Sequence, residues 1–107
     1  MRFRFHPEAR AELRAAIDDY DGGAAAGGRF LAVVTDVIRR ALETPHAGPL
    51  WPGMPSDLHV RRRNIPGFKY RSLAYAIIDD LIWIVAVVHE RKPPGYWRDR
   101  VRDLPDL

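Results

Sequence analysis

The chain contains no cysteine. That excludes a disulfide framework, thiolate chemistry and zinc sites built on cysteine. Long hydrophobic runs are missing as well. The longest, LIWIVAVV, has eight residues, the length of a strand and well short of the roughly 18 that a membrane span needs. The opening residues carry no signal-peptide apolar region, so a soluble, cytoplasmic, bacterial-type protein is expected. Phosphate-binding glycine motifs are absent: there is no G-x-G-x-x-G and no Walker sequence, and GGAAAGG at 22–28 is too alanine-rich and wrongly placed to cradle a phosphate. HExxH is also missing. The histidines at 6, 46, 59 and 89 stand at no metal-ligand spacing, so neither a metal nor a cofactor is expected. Ser56 and Ser72 lack a neighbouring His/Asp pattern, which argues against a serine hydrolase.

What is present suits one globular domain spanning 1–107. Hydrophobic residues make up 47% and charged residues 29%, a balance that buries a core and keeps it soluble. A chain of 107 residues supports one modest core and no second. RFRF at Arg2–Phe5 alternates as a short strand does. Pro7 opens a helix, where its missing N–H costs nothing, and Glu8 and Glu12 suit the positive end of that helix. Ala9, Leu13, Ile17 and Tyr20 fall on one helical face, and DGG at 21–23 stops it. A second helix follows, with Phe30, Val34, Val37, Ile38 and Leu42 as its apolar stripe and Pro45 as its end. Together they predict a two-helix hairpin over about 7–45.

Residues 45–57, PHAGPLWPGMPSD, hold four prolines and two glycines and read as a loop. A sheet core follows over 58–89: LHVRRR, KYRSLAYAII and LIWIVAVV, separated by NIPGF and DD as turns. The first two alternate and the third is wholly apolar, so the third is expected to be central and covered by the helices. The predicted fold is α+β, in the order β-α-α-β-β-β: an antiparallel sheet of about four strands with the helix pair on one face. Residues 90–107 form a basic, aromatic tail, in which RDR opens a short helical stretch.

Charge is uneven although the formal net charge is only +3. Arg61, Arg62, Arg63, Lys69 and Arg71 follow His59 with no acid among them, and Arg91, Lys92, Arg98 and Arg100 follow His89. Alternation sets Arg61 and Arg63 on one face and Arg62 on the other. Tyr70, Tyr75, Tyr96 and Trp97 interleave with these cations. Basic residues mixed with aromatics are the footprint of a nucleic-acid or acidic target: arginine meets phosphate and rings stack on bases. The equal alternative is a solvated charged border that keeps a strand edge soluble. RNA cleavage would need a base, an acid and cations for the phosphorane. His89 could supply acid or base, Arg71 and Arg91 the cations, and Tyr96 a stacking ring or a proton. Each has a structural alternative. These are a helix ion pair for Arg71, a backbone hydrogen bond for His89, and a lid over the core for Tyr96 and Trp97.

Four stretches in order carry a family likeness: FHPEARAEL, GGRFLAVVTDVIRRALETP, VRRRNIPGFKYRSLAYAI and IVAVVHERKPPGYWRDR. Over residues 2–100 the chain resembles the RelE/ParE superfamily of type II toxin–antitoxin toxins, also called plasmid-stabilisation proteins. The resemblance implies the same β-α-α-β-β-β fold, with the last strand between the first and third. It implies a growth-inhibiting toxin held inactive by a cognate antitoxin, in a hetero-oligomer whose antitoxin wraps it with a flexible, often acidic segment. It leaves two targets. RelE-like members cut mRNA on the ribosome, which makes Arg71, His89, Arg91 and Tyr96 the catalytic candidates of a metal-independent endoribonuclease. ParE-like members inhibit DNA gyrase by binding it, and the helical hairpin and VVHERK lean that way. On either reading Arg61, Arg63, Lys69, Lys92, Trp97 and Arg98 are candidates to bind the target. A third reading is a basic binding domain without toxicity. The tail KPPGYW departs from many RNases of the group, since its prolines reset the direction of Tyr96.

Overall fold

The computed structural model describes residues 1–22 and 25–107. Gly23 and Ala24, part of the glycine-rich turn expected between the helices, lie outside the described residues. The elements are β1 (Arg2–Phe5), α1 (Pro7–Tyr20), α2 (Ala26–Glu43), β2 (Val60–Asn64), β3 (Arg71–Ile78), β4 (Leu81–His89) and α3 (Arg98–Asp103). Single 3-10 turns lie at Ser56–Leu58 and Leu104–Asp106. The order matches the expected α+β arrangement, and α3 is the helical stretch opened by RDR.

Local chemistry explains the helices. His6 stands before Pro7, and its Nδ1 accepts the Glu8 N–H at 3.1 Å, satisfying one of the donors that a helix start leaves bare. The apolar stripes of α1 and α2 face the sheet together: Ala9, Leu13, Ile17 and Tyr20 from one, Phe30, Val34, Val37, Ile38 and Leu42 from the other. Where the two helices meet, a β-carbon on Gly27 would lie 2.6 Å from the Ile17 carbonyl oxygen, so only glycine permits that approach.

The sheet has the order β1-β4-β3-β2, so the apolar last strand is central as expected. It is mixed, which corrects the antiparallel expectation. β2–β3 and β3–β4 are antiparallel, whereas β1 runs parallel to β4, from Arg2 opposite Leu81 to Phe5 opposite Ile84. Turn residues set the direction of hairpin neighbours only. β1 meets its partner across most of the chain, and nothing local dictates its sense. The register between β3 and β4 shifts once: Ala74 faces Ala86 but Tyr75 faces Ile84, leaving Val85 as the extra residue of a bulge.

Both faces of the sheet are covered. The helices bury Leu73, Tyr75, Ile82, Ile84 and Val87. On the other face Val60, Ala74, Ala76, Trp83, Val85 and Val88 lie under Trp97 and Leu104 of the tail, with Trp51, Met54 and Leu58 of the long loop beside them. The tail is therefore part of the core. Trp97 is fully buried against Trp51, ring centroids 5.2 Å apart and edge to face.

Trp97→Ala should cost about 3–5 kcal/mol, the range for truncating a buried aromatic. The indole N–H of Trp97 has no hydrogen-bond partner among the described residues, so Trp97→Phe should cost clearly less. Denaturant midpoints measure both. An alanine variant as stable as the parent would show that the tail does not hold this face.

Candidate functional site

β1 ends at Phe5, but β4 continues to His89. The last β1–β4 backbone bond runs from His6 N–H to the Ile84 carbonyl at 2.9 Å. Beyond it the β4 edge has no strand beside it, and side chains take over. Glu12, one turn after Glu8 on the same face of α1, accepts the Val87 N–H at 3.2 Å through Oε1. Arg100 from α3 donates to the Val85 carbonyl at 3.1 Å. The two side chains also bind each other in a fork, Nη1 to Oε1 at 2.7 Å and Nη2 to Oε2 at 3.2 Å. The Nε of Arg100 stands 3.2 Å from Glu8. Exposure of the Arg100 and Glu12 side chains is only 11% and 14%, so the pair is largely withdrawn from water.

Tyr96 joins this cluster. Its hydroxyl donates a short hydrogen bond to Glu12 Oε2. Lys92 Nζ and the Arg100 guanidinium lie 4.9 and 5.1 Å from its ring centroid. Burial first, then the bond to Glu12 and that carboxylate's charge, push the phenol well above its ordinary range. Burial opposes the charge of Arg100, but the hydrogen bond to Glu12 and its charge outweigh it and raise the guanidinium further. A second tie lies one turn back, where His6 Nε2 meets Asp103 at 3.3 Å. With Nδ1 accepting from Glu8, the Nε2 of the neutral ring carries the proton and donates.

The remaining catalytic candidates gather where β3 begins and β4 ends, close enough to Tyr96 for the charge of Arg71 to act on its hydroxyl. Arg71 and His89 are cross-strand partners. The backbone N–H of Arg91 donates to His89 Nδ1 at 3.0 Å, which leaves the proton of the neutral ring on Nε2. The imidazole sits below its ordinary range, from burial first and then the charges of Arg71 and Arg91. Among the described residues Arg71 is in no ion pair with a helix carboxylate, the structural alternative expected for it. Its guanidinium lies over Tyr20 and Phe30, 5.6 and 5.7 Å from their centroids, with Nε 3.4 Å from the Tyr20 hydroxyl. Arg71, His89 and Arg91 thus come together, while Tyr96 points its hydroxyl at Glu12.

The binding candidates divide in the same way. Arg61 donates to the His46 and Gly48 carbonyls at 3.0 and 2.7 Å and pins the long loop to β2, while Arg63 donates to the Thr44 carbonyl at 2.6 Å and ties β2 to the end of α2. Arg62 points to the opposite face, over Trp51. Trp97 was expected to meet a target, but as a fully buried core residue it does not face outward. Lys69, Arg91, Lys92 and Arg98 are exposed. Lys69, Tyr70, Arg71, Ser72 and Glu90 line a shallow groove of about 480 Å³. Sequence reasoning alone does not show that Glu12 and Arg100 meet each other at the β4 edge and hold Tyr96. The available signal was the four-residue spacing of Glu8 and Glu12, which sets two acids on one face facing a basic tail.

Replacing Glu12 by Ala removes the partner of a nearly buried arginine and should cost about 3 kcal/mol or more. Tyr96→Phe should cost only about 1 kcal/mol. Urea midpoints distinguish the two, and equal losses would refute the central place of Glu12. His89 should titrate below the ordinary value of about 6.5, and Arg91→Gln should move it upward in an NMR titration. Because the folded value is the lower one, protons favour the unfolded chain. The contribution of His89 to stability is complete above the unfolded pKa and declines as pH falls through it. A His89 midpoint at or above the free value would overturn this.

Among the described residues no helix is long and apolar enough to cross a membrane. No curated protein matches the chain. The profile of the family described as "ParE toxin of type II toxin-antitoxin system, parDE" matches residues 3–94. That span runs from β1 through β4 into the tail, and the chain therefore belongs to the ParE toxin family of type II toxin–antitoxin systems.

Proposed function

We propose that this toxin acts by binding DNA gyrase and blocking it, without chemistry of its own, and that a cognate antitoxin neutralises it in the cytoplasm. The observation that carries this reading is the commitment of Tyr96. Its proton is held by Glu12, and its acidity lies far from the working range of a general acid or base near neutral pH. Arg71 is likewise occupied by Tyr20 and Phe30. An enzyme cutting a phosphodiester needs an acid and a base poised on the same phosphate. Here one of the two expected partners is bound into the fold. Exposed Lys69, Arg91, Lys92 and Arg98 instead offer a positive border for a protein target.

A ribosome-dependent endoribonuclease is the second reading. The juxtaposition of Arg71, His89 and Arg91 favours it, with a histidine held neutral between cations. In a gyrase assay, supercoiling should fall with added toxin and recover when antitoxin is added. Translating ribosomes given the same protein should keep their mRNA intact. Full supercoiling at saturating toxin would sink the first reading. Cleaved mRNA that is lost with Arg71→Ala would establish the second.

A further inference from the structure

The turn between β2 and β3 places two aromatic rings in opposite surroundings. Phe68 packs inward, its ring centroid 5.0 Å from that of Tyr20 and 4.9 Å from that of Phe30. Tyr70 does the reverse. At 60% exposure it is the most exposed large apolar or aromatic residue among those described. Its backbone also lies in the left-handed region, with φ at 69°. Asp79 stands there too, but aspartate enters that region readily and a bulky ring does not. The flanking bonds impose the conformation. Glu90 N–H donates to the Tyr70 carbonyl at 2.9 Å, and Arg71 N–H donates to the Phe68 carbonyl at 3.3 Å.

The fold gains little from this ring. Its aromatic neighbour among the described residues is His89, with centroids 6.5 Å apart, close to the limit for such contacts. A strained residue whose side chain stands in water marks a surface held ready for something outside the fold. Lys69, Arg71 and Glu90 share the shallow groove with it, and Arg91, next after Glu90, is exposed as well. The charges beside the ring are therefore of both signs.

We infer that Tyr70 is the anchor through which the toxin seats on its protein target, its ring entering an apolar hollow whose rim is acidic. The inference rests on the gyrase reading and names the contact within it. Tyrosine and arginine are enriched among the residues that dominate protein interfaces. A tyrosine has few side-chain torsions to immobilise, and a backbone fixed beforehand leaves less to order on binding. Lys69 and Arg91 would speed the encounter with an acidic rim. A nucleic acid fits this surface less well, since phosphates laid along the groove would also meet Glu90.

Gyrase binding and supercoiling, measured with the full chain and its variants, test this. Tyr70→Gly relieves the backbone strain, so its urea midpoint should equal or exceed that of the parent, while its affinity for gyrase should fall roughly tenfold or more. Tyr70→Phe keeps the ring and should retain most of the affinity. Lys69→Glu with Arg91→Glu should slow association about tenfold and leave dissociation nearly unchanged. Gyrase inhibited by the parent and equally by Tyr70→Gly would overturn the inference and leave gyrase as the target. Gyrase left unbound and active by the parent would remove both the target and the anchor. A Tyr70→Gly chain markedly less stable than the parent would make the ring structural and overturn the inference. Single-stranded RNA bound by the parent and released by Tyr70→Gly, with gyrase binding intact, would overturn it in favour of a nucleic-acid contact.

Discussion

Where β1 stops, β4 does not, and the uncovered backbone at Val85 and Val87 has to be satisfied by something other than a strand. A buried amide left without a partner costs on the order of 1–3 kcal/mol. Glu12 and Arg100 supply one acceptor and one donor at that edge, and each neutralises the other's charge. The pair comes from helices near opposite ends of the chain, so the same contact docks α3 beside α1. With α3 in place, Trp97 and Leu104 lie over the second face of the sheet. The hydroxyl of Tyr96 and the ring of His6 then find partners on the same side. The two-faced core follows from completing one short stretch of backbone.

This arrangement divides the basic residues by task. Arg61, Arg63 and Arg100 reach carbonyl oxygens and hold segments together. Arg62 and Arg71 lie on aromatic rings. A guanidinium suits such work because it is planar, carries several donors and tolerates partial burial. The lysines at 69 and 92 and the arginines at 91 and 98 remain at the surface. The basic residues that stand out in the sequence thus divide between holding the fold and forming a charged border.

The parts legible in the sequence are those specified locally. The stripe of Phe30, Val34, Val37, Ile38 and Leu42 and the unbroken run of β4 read as a helix face and a central strand, and both occupy those places. The hairpin turns set β2, β3 and β4. The direction of β1 was not legible, because a parallel partner on the far side of two helices leaves no turn signature. Nor was the role of the tail. Trp97 in a basic, proline-bearing stretch has the composition of a binding surface, and only the sheet face left bare by the helices makes it a core residue. The same reason hid Glu12, whose importance depends on a β4 overhang that no spacing within α1 reveals. At the candidate site, strand pairing brings Arg71 and His89 together, whereas the orientation of Tyr96 is set by a carboxylate 84 positions away.

That distance has a kinetic meaning. Tyr96 and Arg100 meet Glu12 across 84 and 88 positions, and Asp103 meets His6 across 97. Contacts of such separation form late, since nearly the whole chain must be closed into a loop before they return any energy. During synthesis β1 and α1 emerge long before the tail that completes their surroundings. Until then the β4 edge and the Trp83 face stay bare. The cluster around Glu12 is complete only once residues 96–103 have joined it, so this edge of the fold depends on a stretch made long after β1 and α1.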